Sequence, residues 1–298
     1  MCVIITKWVI NMRLNTVENL TMDQERALYD SQNILISNCK FYGPADGESA
    51  LKESKNVVIK DSYFNLRYPI WHNHIVKIFN SEMTIDCRAA LWYSKYIHIT
   101  DCKFDGVKIL RECSNIYVKN SRINSTEPFW RCNHISIDNS TIGGEYAFLM
   151  SKNIQINNLQ FVGKYSFQYV KNMTIKDSYL DTKDAFWHTE NVTVENSTIK
   201  GQYLAWYSKG LHLINCKIIG TQPFCYCENL VLENCEMIDA DFAFEYSSVQ
   251  ATIRGNVISV KNPKSGRIVA DNIETLIIED KYCDKTKVEI ISNNKKVL

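Results

Sequence analysis

Ile97-His98-Ile99-Thr100-Asp101-Cys102 and Ile116-Tyr117-Val118-Lys119-Asn120-Ser121 are one phrase written twice. The phrase returns with its last residue at Ser140, Ser178, Ser197, Cys216 and Cys235, and once with Leu159 in that place. The closing residues 102, 121, 140, 159, 178, 197, 216 and 235 each stand 19 apart. One short β phrase per fixed, short period marks a solenoid, in which each repeat buries its apolar face against its neighbours.

Working outward, earlier anchors fall at Cys39, Ser62 and Ser81 and a later one at Asn256, with insertions in the coils around them. Each coil alternates with period two. Ile135 and Ile137, Ile154 and Ile156, and Val192 and Val194 point inward, followed after a bend by Phe104, Ile123, Ile142, Phe161, Leu180, Ile199 and Ile218. The Asn or Asp before each anchor suits a bend in left-handed geometry, and a second row (Asn56, Asn115, Asn153, Asn172, Asn191, Asn229) marks another. Stacked Asn amides then bond coil to coil.

Unequal segments in a 19-residue period exclude a strict hexapeptide helix. They favour an all-β, single-stranded right-handed parallel β-helix of the pectate-lyase-like form, with about 13 coils and a length of roughly 60 Å. Thr21-Met22-Asp23-Gln24 reads as a capping box, so a short N-terminal helix is expected to plug the open end. The chain divides into an N-terminal extension and cap (1–30), the β-helix (31–283) and a C-terminal tail (284–298).

A formal net charge of +1 over 298 residues gives no case for nucleic acid or an anionic membrane, and the apolar runs are far short of a bilayer span. No secretory leader is read in the first residues. Of 11 cysteines, Cys39, Cys102, Cys216 and Cys235 sit on the anchor and Cys113, Cys132 and Cys227 on a second row, alternating with Ser and Thr. They read as small, reduced, buried side chains, which favours a cytoplasmic location. Asp46 and Glu48 read as solvated turn residues, and His72, His74 and His98 as isolated imidazoles. No metal site and no cofactor are expected.

The third segment of each coil carries the chemistry. Ten residues after the anchors runs a row of His72, Glu112, Arg131, Met150, Tyr169, His188, Tyr207, Tyr226 and Glu245, joined by Glu53 and Tyr93 once the insertions are allowed for. Six after the anchors runs Tyr68, Lys108, Glu127, Tyr146, Tyr165, Asp184, Tyr203 and Asp241. Read as one strand face, these rows are expected to point outward with Phe129, Phe148, Phe167, Phe186 and Phe224. Burying Glu112, Glu127 and Asp184 would cost several kcal/mol per unpaired ion. The alternative puts that face inside, as a phenylalanine core stack, and turns Trp71, Trp92, Arg111, Trp130, Gln168, Trp187 and Trp206 outward.

An outward wall of aromatic and ionisable groups suits an oligosaccharide. His72, Tyr93, Tyr146, Tyr165, Tyr169, Asp184, His188, Tyr207 and Tyr226 are then the candidate binding residues. Glu112, Glu127, Arg131 and Lys108 are the candidate acid/base group of a lyase or hydrolase. The competing reading is a non-catalytic scaffold or protein-interaction solenoid.

The phrases Gly43-Pro-Ala-Asp-Gly-Glu-Ser-Ala-Leu-Lys-Glu53, Cys87-Arg-Ala-Ala-Leu-Trp-Tyr-Ser94, Asp181-Thr-Lys-Asp-Ala-Phe-Trp-His188 and Phe242-Ala-Phe-Glu-Tyr246 resemble those of a bacterial family of uncharacterised single-stranded right-handed β-helix proteins. The resemblance spans about Val17 to Asp280 and implies the fold, with no catalytic residue to carry over. Members sometimes carry the label hydrogenase. This sequence gives that label no support, because its cysteines follow the packing ladder and not paired metal-ligand spacing.

Overall fold

The computed structural model describes residues 14–43 and 47–298. Its strands stack in parallel, coil upon coil, into a right-handed β-helix of about 14 turns with a period of about 19 residues. The registers are those the repeat dictates: Ile116 pairs with Ile135 and Ile135 with Ile154 in the first sheet, Phe104 with Ile123 and Phe161 with Leu180 in the second.

Both corners are held in left-handed backbone. The Asn or Asp before each anchor has φ of 44–55° from Asn38 to Asn234, and Asn115, Asn153, Asn172 and Asn191 have φ of 55–58°. Asn and Asp tolerate this region best. Their side chains also run a ladder along the axis: Asn196 donates to Asp177, Asn215 to Asn196 and Asn234 to Asn215.

Serine and cysteine interchange at the anchor because both do one job. Ser121 Oγ donates to Lys119 O and Cys102 Sγ to Thr100 O, two residues back. Ser121 Oγ in turn accepts from Cys102 N, and Ser140 Oγ from Ser121 N, one coil earlier. The ten described cysteines are all free and buried. Burial pushes the thiols of Cys102 and Cys227 up to about 11 and that of Cys225 up to about 12. Unfolded thiols ionise near pH 9.0, so above that pH the unfolded chain loses protons that the folded chain keeps. Stability is therefore full below pH 9 and is lost as pH rises through the folded values. A urea midpoint that falls steadily from pH 9 to pH 11 is the expected result, and a flat midpoint would contradict it.

Three expectations are corrected. The stretch Thr21 to Tyr29 is no helix but the first coil. Thr21–Met22 pairs with Lys40–Tyr42, and the N–H groups of Arg26, Leu28 and Asp30 donate to Glu48 O, Ala50 O and Lys52 O. Coil-to-coil bonding takes the donors that a helix would need, and this coil was missing from the expected total. At the other end, Val288–Ser292 pairs in parallel with Ser265–Ile277, so the last residues form a further strand and not a tail. Asp46, Met1 to Arg13 and Cys2 among them lie outside the described residues. Glu48 pairs with Arg67.

The third correction is the third segment, which is not a strand. Its first, third and fifth residues are left-handed: Glu127, Phe129 and Arg131 at 54°, 58° and 53°, and Tyr165, Phe167 and Tyr169 at 57°, 59° and 57°. The outer two N–H groups donate forward and the middle one backward: Glu127 to Glu145 O, Arg131 to Leu149 O, Phe129 to Ile109 O. The segment is a rounded wall. Its phenylalanines are core, while the Tyr/Glu/His rows lie largely at the surface and the tryptophan row is half-buried between them. Neither one-face alternative holds, because both assumed an extended strand.

No helix among the described residues is long and apolar enough to cross a membrane.

Candidate functional site

The phenylalanine stack sets the wall. Phe129, Phe148, Phe167 and Phe186 lie face to face at 4.7–5.0 Å and 6–10°, fixing each coil's third segment directly over the last. Outside it, Tyr169, His188, Tyr207 and Tyr226 form a second stack at 4.7–5.0 Å and 6–9°, which Tyr246 extends at 5.4 Å. Tyr146 stacks on Tyr165 at 5.0 Å. Each inner ring has both faces covered by its neighbours, so these residues present edges and hydroxyl tips to solvent, not the open faces expected of a sugar platform.

The remaining candidates are more scattered. His72 lies edge-on to Tyr93 at 4.9 Å and 3.4 Å from Glu53. His74 and His98 face outward from the first sheet, against Tyr96 and Tyr117. Asp184 is buried, and desolvation raises its pKa although Lys183 at 4.0 Å opposes this.

Three of the four acid/base candidates do converge, around a residue not among them. Arg111 lies between two indoles, 5.1 Å from the Trp92 ring centre and 4.1 Å from that of Trp130. Glu127 Oε2 is 3.6 Å from Arg111 Nη1 and 3.5 Å from Lys108 Nζ, and Glu112 Oε1 is 3.7 Å from Arg111 Nε. Arg131 makes no ion pair with a described residue and is exposed. The signal for the centre was present as Trp92, Arg111 and Trp130 at 19-residue spacing, a cation in an aromatic column.

Chemically, each carboxylate lies within 3.7 Å of a cation, an arrangement of paired charges that suits binding and orientation. A shallow open depression lies elsewhere, at the first corner around Asp101, Lys103, Asn120 and Arg122.

Among solved structures, the chain is similar to PfbA, a surface adhesin of Streptococcus pneumoniae (10% identity, 80% of this chain and 77% of that one, TM-score 0.39). It is similar to the Azotobacter vinelandii mannuronan C-5 epimerase AlgE4 A-module (11%, 81% and 91%, 0.38) and to a tailspike protein double mutant of E. coli bacteriophage HK620 in complex with pentasaccharide (9%, 94% and 70%, 0.40). Likeness at this level carries no functional information about this chain. Comparison with curated proteins finds no match. A family model described as "Protein of unknown function (DUF3737)" matches residues 15–291.

Proposed function

The chain belongs to the DUF3737 family, and from that premise we propose that it is a non-catalytic binding solenoid that holds an extended oligosaccharide lengthwise along the third-segment wall. The observation that carries this reading is the pre-set ladder. Tyr169, His188, Tyr207 and Tyr226 offer one polar tip per coil, already immobilised by their own stacking. Little side-chain entropy remains to be lost on binding. A coil rises roughly 4.8 Å, about the length of one sugar unit in an extended chain, so successive units meet successive tips.

Titration with neutral oligosaccharides of increasing length, followed by tryptophan fluorescence, tests the reading. Affinity is expected to rise with each added unit and then level off. Tyr207→Phe, which removes one hydroxyl and keeps the stack, should weaken binding about fivefold, as for one neutral hydrogen bond. Binding independent of length would overturn it.

A second reading, a protein partner, is favoured by the exposed Met150 beside exposed Tyr146 and Tyr169. Capture of a partner that Met150→Glu abolishes, with no glycan bound, would establish it instead.

A further inference from the structure

We infer that Arg111, with Glu112, is a subsite for two adjacent hydroxyls of an uncharged sugar. This rests on the oligosaccharide reading and assigns the point on the wall where ligand chemistry is selected.

The Arg111 guanidinium carbon lies over two indole rings, that of Trp92 at 5.1 Å and that of Trp130 at 4.1 Å. Its side chain is only 19% exposed. Its carboxylate neighbours stand at 3.6 and 3.7 Å, beyond direct hydrogen-bond reach. The donors left open are its N–H groups, none of which hydrogen-bonds a described residue. A largely dehydrated guanidinium, held in one orientation and with unused donors at its rim, is a prepared fork for a pair of acceptor oxygens.

Trp130 supplies an independent observation. At four other positions of its row the side chain donates to the carbonyl sixteen residues on. Trp92 does so to Lys108 O at 3.0 Å, Gln168 to Asp184 O at 2.8 Å, Trp187 to Tyr203 O at 2.6 Å and Trp206 to Gln222 O at 2.9 Å. Trp71 and Trp130 make no such bond, and the indole nitrogen of each is buried with no partner among the described residues. Leaving a buried donor unpaired is costly. Of these two rings, that of Trp130 lies against Arg111. Glu127 Oε2 is likewise buried without a hydrogen bond, flanked by Lys108 and Arg111. Packing and charge here orient Arg111 without saturating it.

The ligand's chemistry follows from the charges. A carboxylate arriving at the Arg111 edge would meet Glu112 and Glu127, each within 3.7 Å of the same guanidinium. Adjacent hydroxyls carry no such penalty. Each oxygen accepts from an Arg111 N–H, and one hydroxyl donates onward to Glu112, which is 32% exposed. The site is thus matched to a neutral diol and set against an acidic sugar.

The test is an array of neutral and uronate-containing oligosaccharides, with deoxygenated analogues of the best neutral binder, probed with the intact protein, Arg111→Lys and Glu112→Gln. Neutral sugars should bind in preference to uronates. Arg111→Lys, which keeps the charge and loses the fork, should weaken the neutral binder roughly tenfold or more. It should also erase the preference over the deoxygenated analogue, which a purely structural role would leave intact. If Arg111→Lys fails to fold, Glu112→Gln reads the same selectivity with no change of shape. Preference for uronates, or unchanged selectivity in a folded variant, overturns the inference. Should glycans bind and weaken with Tyr207→Phe but ignore both of these variants, the subsite falls and the binding wall stands. If no glycan binds, both fall.

Discussion

Excision of residues 152–170, which joins Ser151 directly to Lys171, yields a protein that still unfolds cooperatively, one coil shorter and only a few degrees less stable. Lys152 pairs with Lys171 and Ile154 with Met173, so the cut removes one circuit and returns every later side chain to its column. In a solenoid each repeat contacts chiefly its neighbours, and losing an internal one removes a single interface. Excision of residues 152–161 gives the opposite outcome. About half a circuit is gone, a corner must stack on a strand, and apolar and polar columns change places. That variant should show no cooperative melt and should aggregate. Circular dichroism during heating distinguishes the two, and similar melts for both would refute a fixed circuit.

Phe167→Ala is expected to destabilise the fold by about 3–5 kcal/mol, at the upper end for a core truncation. Phe167 has no exposed surface and lies between Phe148 and Phe186, both at 5.0 Å, with Phe161 at 5.4 Å. The ring cannot be replaced by sliding, because its neighbours are held in their own coils. Phe167→Val separates volume from backbone. It restores apolar bulk but places a β-branched residue at φ 59°, where such residues are poorly tolerated. It should recover little of the loss, and Phe167→Leu should recover more. Urea unfolding measures all three. A loss under about 1 kcal/mol for the alanine variant would mean that the stack is not what holds the third segments in line.

The circuit was legible because the anchor row is chemically constrained: a hydroxyl or thiol must reach the carbonyl two residues back, as Ser121 and Cys102 do. The corners were legible because Asn and Asp mark left-handed backbone. The first coil was not, since Thr21-Met22-Asp23-Gln24 has the local form of a helix start and only the neighbouring coil's carbonyls overrule it. Nor was the third segment, whose alternating left-handed residues are mostly Phe, Tyr, Leu, Glu and Lys or Arg, types that carry no such signal. Stacking between coils imposes that geometry, and a single coil read alone cannot display it. The same blindness hid Arg111. Judged singly it was one charge in a half-buried row, and only the columns above and below make it the centre of the cluster.

The last strand has a consequence for how such molecules meet one another. Val288–Ser292 does not end as a bare edge: Lys295–Lys296 turns back along it in antiparallel fashion, and Ile290 bonds with Val297 and Leu298. A stack of parallel rungs is a ready template for fibre growth, with each free edge inviting another chain. Here part of the final rung of the first sheet is paired with a returning segment that carries two lysines, so an arriving copy meets a partly covered, charged edge.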